Sequence, residues 1–263
     1  MTFHCILARS AAICALGFAT LLPSTSSAIQ ITKQLTVNVY QINGASLGPV
    51  GNSYFETEVD LIWAQAGIDV NFIFGGAITN AAWSDVSSAE FSAVTGSQGH
   101  LQSSTVLDMF LTHTVEGRTA YGVGWLGVGG IVIGMDDVMG FNSPLGRIDT
   151  IAHEIGHNLG LDHSTNPYEL MASGGIRNVP LTSANINPNG LDYDQLSQAQ
   201  INSTRMSTLL HDYTLPPPPS TPPPATPLAS VPDSGKTRIL LLMSVGALGL
   251  ISTSSRRETS SKS

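Results

Sequence analysis

Residues 153–163 read HEIGHNLGLDH, and no other stretch of this 263-residue chain restricts its fold so tightly. If 153–159 is helical, His153 and His157 stand one turn apart on one face, where both rings reach a single ion. Glu154 is rotated off that line, beside the ion's position yet free to handle a proton. Gly160 can take the left-handed backbone conformation that ends a helix and turns the chain back. That turn brings His163 round as a third ligand. Three imidazoles leave one tetrahedral position open, the arrangement of a catalytic rather than a structural zinc site. The fold must therefore present a helix, a sharp stop and a returning loop around one point.

A bare HExxH arises by accident in ordinary chains, and the bland alternative is an amphipathic helix with surface histidines. Fixing Gly160 and His163 as well makes an accident remote. The stretch resembles the metzincin metallopeptidases, whose extended motif HExxHxxGxxH is matched at every fixed position. That resemblance implies a methionine-containing turn beneath the metal, and NPYELMASGG places Met171 eight residues after His163. A lone methionine also serves as core filler. Some metzincins add a tyrosine ligand two residues after the methionine; here that position is Ser173, so no such fifth ligand is expected.

The resemblance implies a zinc-dependent endopeptidase with Zn2+ on His153, His157 and His163. Zinc would activate water, and Glu154 would take its proton as general base and deliver it to the leaving amine. Two other readings remain open: a non-catalytic zinc-containing surface or matrix adhesion protein, and a zinc hydrolase acting on something other than peptide. The presence of Glu154 weighs against the first, because a binding module needs no general base.

The two ends of the chain read as addresses. Residues 1–28 carry His4 and Arg9, then the apolar run AAICALGFATLL, then small residues ending SSA. This is the pattern of a secretory signal peptide cleaved after Ala28, and the apolar run is too short for a membrane span. Both cysteines, Cys5 and Cys14, lie inside it. The mature chain would contain none, which excludes disulfides and a latency device built on a cysteine thiolate. At the other end, residues 214–230 form a proline-rich linker that favours extended polyproline II. Next come VPDSGKTR, the apolar run ILLLMSVGALGLI and Arg256–Arg257. The run from Ile239 to about Ser255 is just long enough for a bilayer, and the arginines suit the positive-inside rule.

Residues 231–257 resemble the PEP-CTERM sorting signal of Gram-negative bacteria, in a VPDSG variant, with 258–263 as a tail. That resemblance implies an exosortase-type processing enzyme, transient membrane association and export to the cell surface or extracellular matrix. A plain C-terminal membrane anchor is the simpler alternative. The formal net charge of −8 argues against nucleic acid as a partner, since phosphate binding needs a basic surface.

Residues 29–213 are then the catalytic domain. LTVNVYQI at 35–42 and IDVNFIFG at 68–75 read as strands. Between them Phe55, Val59, Ile62, Trp63 and Ala66 fall at helical spacing, with Gly67 at the C-terminus. Strand, helix, strand implies a parallel pair with a crossover helix. The polar stretch 77–100 reads as loop with a short helix at most. TVLDMFLTH at 105–113 is another strand. In the glycine-rich segment 120–137, IVIGM is a strand preceded by turns or bulges, with no helix directly after it. By resemblance to the family, some part of 123–134 would be an edge strand that pairs with extended substrate; an ordinary buried strand plus loop fits equally.

Ser143–Pro144 or Asp149 caps the active-site helix, which buries Ile151, Ile155 and Leu159. Ser197-x-x-Gln200 opens a final helix containing Ile201, Met206 and Leu209 or Leu210. The expected fold class is α/β (α+β): a metzincin-like zincin with a twisted mixed sheet, crossover helices and a largely irregular C-terminal subdomain. His100, His113 and His211 are expected as surface or capped residues rather than a second metal site, and Asp136, Asp137 and Asp149 show no calcium-loop spacing.

Overall fold

The computed structural model describes residues 30–100 and 105–214. The expected signal peptide, the sorting signal with its apolar run, the tail, and the linker from residue 215 onward lie outside the described residues. Among the described residues no helix is long and apolar enough to cross a membrane.

The chain opens with strand β1 (Lys33–Ile42), followed by helix α1 (Glu56–Trp63) and strand β2 (Ile68–Ile78). Short 3-10 turns flank α1, and Gly67 ends it in the left-handed region at φ 68°. All five apolar positions predicted for this helix are buried, and β1 and β2 pair in parallel as the strand–helix–strand order demands. A short strand β3 (Asp85–Val86) and helix α2 (Ser88–Thr95) then lie in the stretch expected as loop with a short helix at most; the strand was not expected. The signal for α2 was its capping box, Ser87 and Glu90, which satisfies two free backbone donors of the first turn.

Next come β4 (Leu107–Thr112), β5 (Thr114–Val115), β6 (Gly122–Gly124) and β7 (Ile131–Gly134). Contrary to expectation a helix does follow β7 at once, α3 (Met135–Phe141). It buries Met135 and Val138 and carries Asp136 and Asp137 in its first turn, where the helix dipole favours negative charge. The active-site helix is α4 (Thr150–Asn158), and after a long irregular stretch come α5 (Gln198–Thr204) and β8 (Leu210–Asp212).

The final helix is shorter than its sequence suggested. The Ser197/Gln200 capping box forms, but α5 stops at Thr204, Met206 is exposed, and Leu210 belongs to β8. Arg205 explains the stop: its guanidinium donates to the Ala66 carbonyl at 2.6 Å and to Thr32 Oγ1 at 2.8 Å. These bonds pin the chain at the base of the sheet, and β8 then pairs antiparallel with Lys33–Leu35.

The main sheet runs β2-β1-β4-β7-β6, with β8 on the free start of β1. β1, β2, β4 and β7 are parallel, while β6 and β8 are antiparallel. Central β4 is buried on both faces, which is why LDMFLT lacks polar alternation. Leu107, Met109 and Leu111 join the larger core with α1 and α4, while Phe110 joins the smaller one with Phe91 and Val94 of α2. The sheet is therefore covered on both sides, and its β6 edge lies against α4. The C-terminal stretch after α4 is irregular except for Ser183–Asn185, α5 and β8, as expected.

Trp63 sits fully buried in the larger core. Replacing it with Ala should cost about 3–5 kcal/mol of stability, read from the urea unfolding midpoint; a loss under about 1 kcal/mol would show that the core does not depend on it.

Candidate metal centre

Helix α4 buries Ile151, Ile155 and Leu159, which turns His153, Glu154 and His157 toward a cleft. Asp149 occupies the N-cap position, but its side chain makes no cap bond; Ser143–Pro144 lies outside the helix. Gly160 adopts φ 90°, a conformation that costs most side chains energy. The reversal brings His163 back, so that ring centroids lie 4.9, 5.4 and 4.8 Å apart around the triangle of His153, His157 and His163. Their ligand atoms all fall within 4.8 Å of one another.

Two backbone carbonyls settle which ring nitrogens face the centre. His153 Nδ1 lies 2.7 Å from the Leu170 oxygen, and His157 Nδ1 lies 2.8 Å from the Leu161 oxygen. A carbonyl only accepts, so each Nδ1 carries the proton and each Nε2 keeps a free lone pair. Burial pushes the His153 pKa down to about 2, with the Arg177 charge adding to it, and lowers that of His157 as well. Neutral, oriented imidazoles are the donor set that zinc requires.

Met171 is fully buried under the same helix. A Cβ placed on Gly156 would collide with Met171 Sδ and come within 3.1 Å of its Cε. Gly156, between the two ligand histidines, is therefore the slot that seats the methionine turn. Leu170, which anchors His153, is the neighbouring residue of that turn.

Glu154 lines the cleft beside the triad. Burial raises its pKa to about 7, against the pull of Arg177 and Arg147. The edge strand β6 runs directly over it: a Cβ on Gly122 would stand 2.9 Å from Glu154 Cγ, and one on Gly124 would stand 3.0 Å from the Glu154 carbonyl oxygen. Glycine at both positions lets the strand touch the helix. Asn158 completes the join, accepting from Gly130 N at 2.8 Å and donating to the Glu154 carbonyl at 3.1 Å. Of the segment 123–134, then, Val123 and Gly124 lie on the edge at the cleft, while β7 is buried.

Sequence reasoning missed the charges at the start of α4. Arg177 Nη2 pairs with Asp149 at 2.5 Å and with Asp194 at 3.4 Å, and Arg147 Nε lies 3.5 Å from Asp149. Both arginines line the cleft, whose volume is about 710 Å³. The aspartates carry no periodic signal, and Arg177 sits in an irregular loop, so nothing in the pattern pointed to them. The remaining candidates are engaged elsewhere: His100 with Asp108, His113 with Asp136, His211 with Gln34, and Asp137 with Arg118.

Residues 52–164 match the model of a metallopeptidase family, the Reprolysin-like family M12B. The match contains the whole triad and stops before Met171. No curated protein matches the chain. Among solved structures it is similar to the archaemetzincin of Methanopyrus kandleri, at 11% identity and a TM-score of 0.42 over 65% of this chain and 94% of that one. The archaemetzincin of Archaeoglobus fulgidus follows at 14% and 0.38, over 64% and 99%. Metalloproteinase-II of Bacteroides fragilis is 16% identical at 0.39, over 70% and 54%. The matched family and the histidine triad fit a zinc metallopeptidase, and they support a hydrolase.

Two outcomes follow from the packing and the charges. Helix propensity alone would make Gly156→Ala stabilising by about 1 kcal/mol. Collision with Met171 reverses the sign, to a net loss of about 1–2 kcal/mol with weaker zinc binding, read by urea unfolding and zinc titration. A stabilised variant with unchanged zinc affinity would place the methionine elsewhere.

The second concerns Glu154. Its folded pKa is raised, so the folded metal-free chain holds a proton that the unfolded chain releases, and stability falls as pH rises from about 4.5 through about 7. Glu154→Gln removes that loss. In chelator, the variant should exceed the wild type by about 3 kcal/mol above pH 7 and by nothing below about pH 4. Parallel stability curves would show that Glu154 is not buried as an ionisable acid.

Proposed function

We propose that this chain is an exported zinc endopeptidase that hydrolyses peptide bonds at the His153/His157/His163 centre, with Glu154 as general base. The observation that carries the reading is the orientation of the rings. Leu170 and Leu161 hold two imidazoles with unprotonated nitrogens facing a common point, beside a carboxyl group poised near neutrality. When bound there, zinc supplies a Lewis acid that polarises a substrate carbonyl and acidifies water.

The chain's own residues do the rest. Glu154 has a pKa near 7 before any metal charge is added, and a nearby cation lowers it, so the carboxylate is available to accept a proton at neutral pH. The same group, once protonated, can donate to the leaving amine. The free side of β6 offers backbone donors and acceptors along the cleft, so an extended peptide can pair with Gly122–Gly124 and be held across Glu154. Gly122 and Gly124 keep that strand close enough for the paired peptide to lie over the carboxylate.

Export rests on sequence alone: the apolar leader at 1–28 and the ordered VPDSG, apolar and basic elements at 231–257. They support secretion through a Gram-negative envelope, processing by an exosortase-type enzyme and a surface or matrix destination.

The test is cleavage of a mixed peptide library by the full chain, with zinc and with chelator. Cleavage should vanish with chelator, return with zinc, and fall by about 10³-fold or more in zinc-loaded Glu154→Gln. Stoichiometric zinc without any cleavage would favour a non-catalytic surface protein. Undiminished cleavage by the glutamine variant would remove Glu154 from the mechanism.

A further inference from the structure

The wall of the cleft at the N-terminal end of α4 is made by two arginines that differ in how they are held. Arg177 is fixed by Asp149 and Asp194, with a side chain only 3% exposed. Arg147 is also nearly buried, at 10% side-chain exposure, yet its one ion pair is the 3.5 Å approach of Nε to Asp149. Nε is buried without a hydrogen bond in both arginines, but Arg177 Nη2 has acceptors on Asp149 and Asp194, whereas among the described residues no guanidinium nitrogen of Arg147 forms a hydrogen bond. The Arg147 Cζ lies over an aromatic platform, 4.4 Å from the centroid of the Tyr121 ring and 5.7 Å from that of Phe141. A guanidinium carries five N–H donors in a planar fork that matches a carboxylate. Here the guanidinium is backed by the ring beneath it, its Nε side is turned to the buried Asp149, and it borders the cleft with its Nη donors unspent.

The local charge has the right sign. Asp149 and Asp194 are fully buried behind the arginines and do not line the cleft, whereas Arg147 and Arg177 do. Burial, and then the Asp149 charge, lifts the Asp194 carboxyl well above the usual carboxylate range, so it offsets the arginines' charge less than an ordinary carboxylate would. The N-terminus of α4, with Thr150 on the cleft wall, adds its positive dipole end. Among the described residues the cleft wall has, besides Glu154, one carboxylate, that of Asp162, on the loop after the other end of α4.

The position relative to the chemistry follows from the strand. Gly122 touches Glu154, and Tyr121, which carries Arg147, is the next residue along. A peptide paired with β6 and cut beside Glu154 would therefore present a residue one or two positions from the scissile bond to Arg147. We infer that the cleft selects substrates bearing a carboxylate one or two residues from the cleaved bond, with Arg147 as its bidentate partner and Arg177 as the fixed charge behind. This rests on the endopeptidase reading for its location, and either an acidic side chain or a terminal carboxylate could supply the group.

The full chain, zinc-loaded, should be given peptides identical except for Asp or Glu against Asn or Gln flanking the scissile bond, each with a free or an amidated C-terminus. The expected kcat/KM ratio of acid to amide is about tenfold or more. Arg147→Gln should bring it toward one with an unchanged circular dichroism spectrum. Tyr121→Leu, which removes the half-exposed platform and leaves the buried ion pairs in place, should lower the ratio as well and keeps the test open if the first variant does not fold. Discrimination that follows the side chain assigns an acidic residue; discrimination that follows only the free C-terminus assigns the terminal carboxylate. In parallel, calorimetric binding of the same peptides to zinc-loaded Glu154→Gln should show the same order without turnover. Cleavage with no acid preference, in rate or in binding, overturns the inference and leaves the endopeptidase reading standing. Arg147-dependent binding preference without any cleavage by the wild type does the reverse.

Discussion

Imidazoles gathered within reach of one ion repel one another as cations and can hold that ion only when neutral and correctly turned. In this protein two main-chain carbonyls, of Leu170 and Leu161, impose both conditions on His153 and His157. Burial of the rings drives the proton off, and each carbonyl fixes the remaining N–H on Nδ1. The consequence reaches well beyond the triad. Leu170 can serve only if the loop after His163 returns beneath α4, which requires Met171 to seat against Gly156. Leu161 can serve only if the helix stops at Leu159 and reverses through Gly160. The irregular C-terminal stretch is thus tied to the geometry of the metal centre despite its lack of secondary structure.

A second dependence runs through the glycine-rich segment on the opposite wall. β6 is only three residues long, but it is the open edge of the sheet and sits against α4 at the position of Glu154. Side chains at Gly122 or Gly124 would hold the strand away from the helix. Asn158 ties the glycine-rich wall to α4, accepting from Gly130 N and donating to the Glu154 carbonyl, so the cleft is framed by a helix and an edge strand with little slack between them. That rigidity is what a site needs if a substrate backbone is to be presented at a fixed distance from one carboxyl group.

The start of α4 shows a different solution to an old problem. Asp149 stands where a capping side chain is expected, yet its carboxylate turns to Arg177 and Arg147 instead. Paired buried charges add little net stability, so their placement bears on the cleft more than on the fold. They put two guanidinium groups on the cleft wall and bury the compensating aspartates behind them.

How much of this was legible in the chain varies with the range of the contact. The 3.6-residue period set His153, His157 and the buried face of α4. The need for positive φ at Gly160 set the turn, and the strand–helix–strand order set a parallel pair. The capping box at Ser197 marked a helix start through local hydrogen bonds, while the one at Ser87 was not read; the sequence overstated the length of α5 because Arg205 anchors to residues far away in the chain. Helix α3 was missed because its apolar pair is too short to show a period. The sequence alone therefore determined which three histidines converge as a group able to hold a metal ion and the local geometry that brings them together, since these depend on spacings of a few residues. Only the tertiary structure decided that Met171 locks into Gly156, that β6 is the exposed edge, and that Arg147 and Arg177 meet at the cleft. Those contacts join segments that lack periodicity, and their positions follow from how the whole core packs.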